Sequence, residues 1–167
     1  MLPLVLNPHF IKVGLAGQGE ALARRAALLA EAGVEARLLS ADVSDAVLEP
    51  LQLLFVAGLS EGESQHLAGR ARALGLLVNV EDVLPLCDFH VPAIVRRGEL
   101  LLTASTGGTV PGLARRLREW LADAFGPEWT ARLNDLSAAR ARWRSAGHST
   151  ADVSQKVRDL IDEKGWL

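Results

Sequence analysis

Asn79–Arg118 reads NVEDVLPLCDFHVPAIVRRGELLLTASTGGTVPGLARRLR, and the order of its parts decides the architecture. The apolar run Leu76–Val80 is a buried strand that ends in two acids, Glu81 and Asp82. Ala93–Arg96 and Leu100–Ala104 flank Arg97-Gly98-Glu99, the pattern of an antiparallel hairpin at the edge of a sheet. Ser105-Thr106-Gly107-Gly108 then opens directly onto a basic helix beginning at Pro111. Far upstream lies a second glycine-rich turn, Gly17-Gln18-Gly19. Strand ends carrying acids beside Gly-rich turns are where open α/β sheets place their ligands.

Working outward, Phe10–Ala16 is mostly apolar and runs into the Gly17 turn. Ala23, Ala26, Ala27, Leu29 and Ala30 follow at helical spacing, and Gly33 ends that helix. Ala36–Leu39 and Leu53–Ala57 are strand-length apolar runs separated by a polar stretch from Ser40 to Asp45. Ser60 with Glu63 forms a capping box for a helix through Ala73. The alternation of strands and helices predicts an α/β fold, a doubly wound parallel sheet with an edge hairpin. Three helices follow: Pro111–Phe125 with Leu113, Leu117, Trp120, Leu121 and Ala124 on one face, Trp129–Ala146, and one capped by Ser149 and Asp152. With no evident sheet to cover, they and Trp120, Trp129, Trp143 and Trp166 are expected to bury an apolar face against another subunit. The expected division is residues 1–110 as the sheet domain, 111–147 as a dimerisation region and 148–167 as a C-terminal helix.

Composition narrows the function. The chain has 167 residues, 49% hydrophobic and 23% charged, enough for a packed core. A net charge of -2 argues against general nucleic-acid binding. Arg96, Arg97, Arg115, Arg116 and Arg118 nevertheless cluster in the quoted segment, which points to a specific anionic ligand. Cys87 is the only cysteine, so an intrachain disulfide and a cysteine-based zinc cage are excluded. MLPLVLNPHF has neither a charged start nor a long apolar core, so no signal peptide, no membrane span and a cytoplasmic location are expected.

Several residues carry chemistry. Gly17, Gln18 and Gly19, with Glu20 in the first helical turn, stand where the pyrophosphate of a dinucleotide would dock. A tight turn without a ligand accounts for the same residues. The strand-end position that usually holds a ribose-binding acid is Ser40, with Asp42 nearby. Asp82 can serve as general acid or base, or simply cap a turn; Glu81 alternates to the other side. Ser105, Thr106, Gly107 and Gly108 make a second anion-binding turn or a well-capped helix start. Arg96, Arg97 and Arg115 can clamp carboxylates, or line a solvated face. The four histidines, His90 included, show no metal-ligand spacing, and no metal site is expected.

Taken together, Leu2-Pro3-Leu4, Gly17-Gln18-Gly19, Arg24-Arg25, Glu31-Ala32-Gly33, Asn79-Val80-Glu81-Asp82, Asp88-Phe89, Pro92-Ala93, Arg96-Arg97-Gly98, Leu100, Ser105-Thr106-Gly107-Gly108, Pro111 and Ala114-Arg115 resemble the precorrin-2 dehydrogenase / sirohydrochlorin ferrochelatase family. The resemblance runs to about Phe125. It implies a Rossmann-like NAD-binding domain, a dimerisation region and a small helical C-terminal part. It implies oxidation of precorrin-2 to sirohydrochlorin in sirohaem or cobalamin synthesis with NAD as hydride acceptor, and in many members insertion of ferrous iron. Asp82 matches the aspartate implicated in both steps, and the tetrapyrrole polycarboxylate gives the arginines a purpose. Family members commonly have Ala-Thr followed by Asp or Asn after the third strand, beside the nucleotide. Ala57 and Gly58 begin the corresponding run here, Ala57-Gly58-Leu59-Ser60-Glu61. That departure, with Leu22 at the third small position of the glycine fingerprint, keeps two alternatives open: a chelatase without hydride transfer, or a non-catalytic tetrapyrrole- or nucleotide-binding homodimer. The chain ends before any uroporphyrinogen methyltransferase domain, so a fused trifunctional enzyme is not expected.

Overall fold

Four short apolar runs become the strands of one parallel sheet: β1 Val13–Gly17, β2 Arg37–Leu39, β3 Leu53–Ala57 and β4 Leu77–Val80, in the order β2-β1-β3-β4. The computed structural model describes Met1–Leu167 and divides into two units, Met1–Val91, which holds this sheet, and Pro92–Leu167. Period-two alternation sends side chains to the two faces in turn. Val13, Leu15, Leu53 and Phe55 meet Leu22, Ala26, Leu28 and Leu29 of helix α1, Gly19–Glu31. Ala16, Leu54, Val56, Val78 and Val80 meet Leu48 of the single-turn α2, Asp45–Leu48, and Leu67, Ala68 and Ala71 of α3, Glu61–Ala73. Every residue of β3 is buried, the signature of a parallel strand covered on both faces. The doubly wound sheet expected from the alternation of elements is therefore present. So is the capping box, in which the Ser60 N–H donates to the Glu63 carboxylate at 2.9 Å and the Glu63 N–H to Ser60 Oγ at 3.4 Å. Helix α2 was not foreseen, because one turn is too short to show a periodicity.

The outer edge of β4 is closed by a side chain. Asp88 donates its N–H to the Val78 carbonyl at 2.7 Å, and its Oδ2 accepts the Val78 N–H at 2.9 Å. One residue thereby imitates the ladder of a neighbouring strand. Arg72 of α3 fastens the carboxylate, with Nε 3.0 Å and Nη2 2.9 Å from Oδ1. Burial opposes ionisation of Asp88, but the hydrogen bonds from Arg72 and Val78, together with the guanidinium charge, outweigh it and hold the carboxyl below its ordinary value.

In the second unit, β5 Ala93–Arg97 and β6 Leu100–Ala104 pair antiparallel around a two-residue turn in which Gly98 has a φ of 59°. The hairpin is a two-stranded sheet of its own, which corrects the edge position expected from the sequence. Both edge-facing backbone groups of Val78 are already taken by Asp88. Helix α4, Pro111–Ala124, packs on both strands, α5, Trp129–Ser145, packs on β6, and α6, Thr150–Lys164, packs on α5. Two of the three helices, α4 and α5, therefore do have a sheet to cover, contrary to expectation.

Most of the tryptophans are used inside this unit. Trp129 is buried, with Phe125 at 5.0 Å, and the Arg132 guanidinium lies 5.1 Å from the Trp129 ring and 5.4 Å from that of Trp166. Lys156 sits 5.9 Å from Trp143. Only Trp120 is largely exposed, at 59%, beside Val110, Leu113 and Leu117 on one face of α4. No helix is long and apolar enough to cross a membrane.

Because the folded Asp88 carboxyl lies below its unfolded value of 3.8, its stabilising contribution is complete above that pH and is lost as the pH falls through the folded value. Asp88→Ala should cost about 1–2 kcal/mol at neutral pH by leaving the Val78 N–H unpaired. In urea denaturation, the gap between variant and parent should narrow below pH 3.8. A gap independent of pH would show that the carboxylate charge plays no part.

Candidate active site

The chain leaves β1 through α1 to reach β2 on one side and resumes at β3 on the other, which makes the carboxyl ends of β1 and β3 the switch point of the sheet. The register sets Gly17 level with Ala57. The Gln18 N–H donates to the Ala57 carbonyl at 3.1 Å. A Cβ at Gly17 would collide with that carbonyl oxygen, and one at Gly58, where φ is 74°, with the Gln18 carbonyl oxygen. The two turns interlock through backbone alone, so only glycine serves at both positions.

Gly19 has a φ of 64° and opens α1, whose first turn has no side-chain cap. Backbone amides and the positive end of the helix dipole therefore face the crevice. Glu20 stands exposed in that turn, 3.8 Å from Arg24. Ser40 follows β2 and hydrogen-bonds the Asp42 carboxyl, which that bond, with the backbone N–H of Asp42, holds below its ordinary value. The structure thus gathers Gly17, Gln18, Gly19, Ala57 and Gly58 at one point. The glycines are needed for the backbones to approach each other, and the uncapped amides at the start of α1 beside them suit an anionic group such as a pyrophosphate.

Asp82 lies just beyond β4, exposed to solvent. The Val83 N–H donates to the Val80 carbonyl at 3.3 Å, closing a turn with Asp82 third of four residues. Its φ of 62° makes it the one non-glycine residue in the left-handed region. Turns of this kind usually place glycine or asparagine there. Strain of that sort gathers at functional sites.

Glu81 turns the other way, as alternation requires, and meets two cations of α1: Arg25 at 3.7 Å and Arg24 at 3.8 Å. The sequence reading set Glu81 aside. The signal that could have found this contact was the Arg24-Arg25 pair, one helical face of α1 lying over the sheet. Asn79, also on β4, is 6% exposed; its Nδ2 donates to the Phe89 carbonyl at 2.9 Å, while its Oδ1 has no partner.

The remaining sequence-derived residues belong to the second unit. Arg97 is committed to structure: Nε donates to the Phe125 carbonyl at 2.7 Å, Nη2 to Ala122 at 3.1 Å and Nη1 to Arg96 at 2.9 Å. It closes the carbonyl end of α4, where a cation is favoured. Arg96 is exposed, with Arg118 on the wall of the same open cavity of about 300 Å³, whereas Arg115 is exposed and 3.7 Å from Glu119.

In the Ser105–Thr109 turn, the Gly107 N–H donates to Ser105 Oγ at 3.2 Å and the Val110 N–H to Thr106 Oγ1 at 3.3 Å. Gly107 and Gly108 both have positive φ, at 63° and 80°. Val110 is the N-cap of α4 and offers no side-chain cap, so the amino end of that helix stays open to an anion. No three His, Cys, Asp or Glu side chains converge as a metal site would require.

Two stability measurements probe these assignments. Asp82→Gly should be neutral to within about 1 kcal/mol, whereas Asp82→Val should destabilise by about 1–2 kcal/mol, since a β-branched residue resists a positive φ. Equal stability of the valine variant would show that the left-handed turn is not enforced. Arg97→Ala should cost roughly 1–3 kcal/mol through the α4 carbonyls it abandons; an unchanged melting temperature would return Arg97 to the set of free cations.

Residues 41–93 match a protein family described as "Putative NAD(P)-binding". Siroheme synthase of Methylobacillus flagellatus is 36% identical over 94% of this chain and 37% of its own length. That of Pseudomonas putida is 31% identical over 93% of this chain and 37% of its own length. The chain spans about a third of the length of these relatives. Among solved structures, "SirC, precorrin-2 dehydrogenase" superposes with a TM-score of 0.75 over 99% of this chain and 92% of that one, at 20% identity, a likeness of fold. Over nearly its whole length the chain is thus similar to about a third of the length of siroheme synthases, and it shares its fold with a precorrin-2 dehydrogenase.

Proposed function

We propose that the protein is a cytoplasmic, homodimeric precorrin-2 dehydrogenase that oxidises precorrin-2 to sirohydrochlorin with NAD. The observation that carries this reading is the interlocked glycine crevice at the switch point, with Asp82 at the end of β4 in the same sheet. Gly17, Gln18, Gly19 and Gly58 would hold the pyrophosphate on backbone amides, with Glu20 and Ala57 framing the turn and Ser40 with Asp42 at the ribose. NAD, when bound there, supplies a hydride acceptor.

The chain's own chemistry lies with Asp82, whose carboxylate takes the proton that the macrocycle loses alongside the hydride. Its exposed, left-handed position lifts it clear of the sheet, where a large substrate can reach it. Arg96, Arg115 and the open turn at Ser105, Thr106, Gly107 and Gly108 would take substrate carboxylates, guanidinium groups bidentately and the helix end through its amides. Arg97 serves by holding α4 in place. Residues 111–147 form the dimerisation region, supported by the exposed stripe Leu113, Leu117 and Trp120. Ferrous iron, where it is inserted, is a substrate that displaces two N–H protons, and the same carboxylate would receive one of them and pass it to solvent before the second leaves.

With precorrin-2 and NAD, the purified protein should form sirohydrochlorin only when NAD is present. Asp82→Asn should lower kcat by about 100-fold or more while leaving NAD affinity within about twofold. Gly58→Val should abolish NAD binding. Full turnover by Asp82→Asn would place the base elsewhere. Absence of oxidation by the folded protein, with iron insertion retained, would favour the chelatase alternative.

A further inference from the structure

We propose that Glu81, fastened by Arg24 and Arg25, is a positioning residue that fixes both the backbone and the charge environment of Asp82. The inference rests on the reading of Asp82 as the base and goes beyond it by naming what holds that base ready.

The backbone argument comes first. The Glu81 N–H donates to the Val56 carbonyl at 2.9 Å, continuing the β3–β4 ladder one residue past the strand. The next residue, Asp82, has a φ of 62°. An acid in that conformation persists only where its surroundings over-determine it. Glu81 supplies that constraint from the near side, its amide bonded to β3 and its carboxylate ion-paired with two arginines. Oε1 is 3.7 Å from Arg25 Nη2 and Oε2 is 3.8 Å from Arg24 Nη2. The glutamate side chain is 19% exposed and that of Arg25 is 12% exposed. Arg25 is itself fixed, its guanidinium 5.4 Å from the Phe55 ring centroid, and Phe55 is a buried residue of β3. Arg24 is tied in turn to Glu20 at 3.8 Å.

The charge argument follows. Two adjacent acids would disfavour each other's ionised forms. Here Arg24 and Arg25 face Glu81 and offset its charge beside Asp82. Both arginines belong to α1, the helix whose amino end faces the glycine crevice. One helix therefore presents its dipole to the nucleotide and its second turn to the neighbour of the base. A brace that only joined α1 to β4 would also stabilise the fold, and the two roles differ in what they do to the pH dependence of the reaction.

The test compares Glu81→Gln, Arg25→Ala and Asp82→Asn with the parent, measuring thermal unfolding, NAD affinity, and kcat across pH. Glu81→Gln and Arg25→Ala should each lower kcat by about tenfold with NAD affinity within about twofold. The acid limb of the pH–kcat profile should shift to lower pH in Glu81→Gln, where an anion is lost, and to higher pH in Arg25→Ala, where one is uncovered. Each shift should be about half a unit, given solvent screening. If Arg25→Ala does not fold, Arg24→Ala serves with the same sign.

An unmoved limb, shifts of the same sign, or parental kcat in a folded variant would reduce the cluster to a brace and overturn the proposal. Asp82→Asn separates the two failures. If it is inactive while the Glu81 and Arg25 variants behave as the parent, only the positioning role falls. If it turns over normally, the reading of Asp82 falls and the positioning role with it.

Discussion

The hydrogen bond from the Gln18 N–H to the Ala57 carbonyl, 3.1 Å long, is the contact on which the rest of the first unit depends. It joins the ends of β1 and β3 where the chain changes direction across the sheet, and it requires that both turns be free of side chains. Gly17 and Gly58 meet that requirement at close range from opposite sides. The register Val13↔Leu53 to Gly17↔Ala57 brings those ends level, and β4 pairs with β3 through Val56↔Val80. The crevice and the acid-bearing turn beyond β4 are thus set by one ladder. Moving β3 by a single residue would send its buried side chains to the wrong faces and take Ala57 away from Gln18.

Much of this was legible in the sequence because it is local. Leu53–Ala57, the Ser60–Glu63 capping box, the helix ending at Ala73 and the hairpin turn at Gly98 are written in runs of adjacent residues, and the structure has them. The run Ala57–Glu61 departs from the residues usual in the family that the sequence resembles. Its physical reason lies elsewhere in the chain, at Gln18, whose carbonyl leaves no space for a side chain at Gly58. A close approach between segments forty residues apart has no signature in either segment.

The arginines show the same limit more sharply. Arg96 and Arg97 are neighbours of identical chemistry, and nothing in the sequence separates a cation that meets a substrate from one that meets a carbonyl. The separation is made where β5 meets the carbonyl end of α4, which only one of the two guanidinium groups reaches. Arg97 then finds the carbonyls of Ala122 and Phe125 at the end of the helix. Its companion is left exposed. The tryptophans divide in the same manner: Arg132 lies within 5.4 Å of the centroids of both Trp129 and Trp166, while Trp120 stays on the open face of α4. Composition offered four tryptophans for an interface, and internal packing in the second unit takes all but one.

Three carboxylates within eight residues, Glu81, Asp82 and Asp88, show how surroundings assign work to identical groups. Asp88 is ion-paired and hydrogen-bonded along a strand edge, where its charge closes the sheet. Glu81 is turned beneath α1 and ion-paired with two arginines. Asp82, between them, is exposed and bent into a conformation that suits glycine better. A glycine there would serve the turn at lower strain, so the turn alone does not account for an acid. What an acid adds at that point is an exposed carboxylate held beyond the carboxyl end of β4, beside a glutamate that is itself ion-paired. The strain at Asp82 and the pairing at Glu81 are therefore two parts of one arrangement, the first exposing the carboxylate and the second keeping it in place.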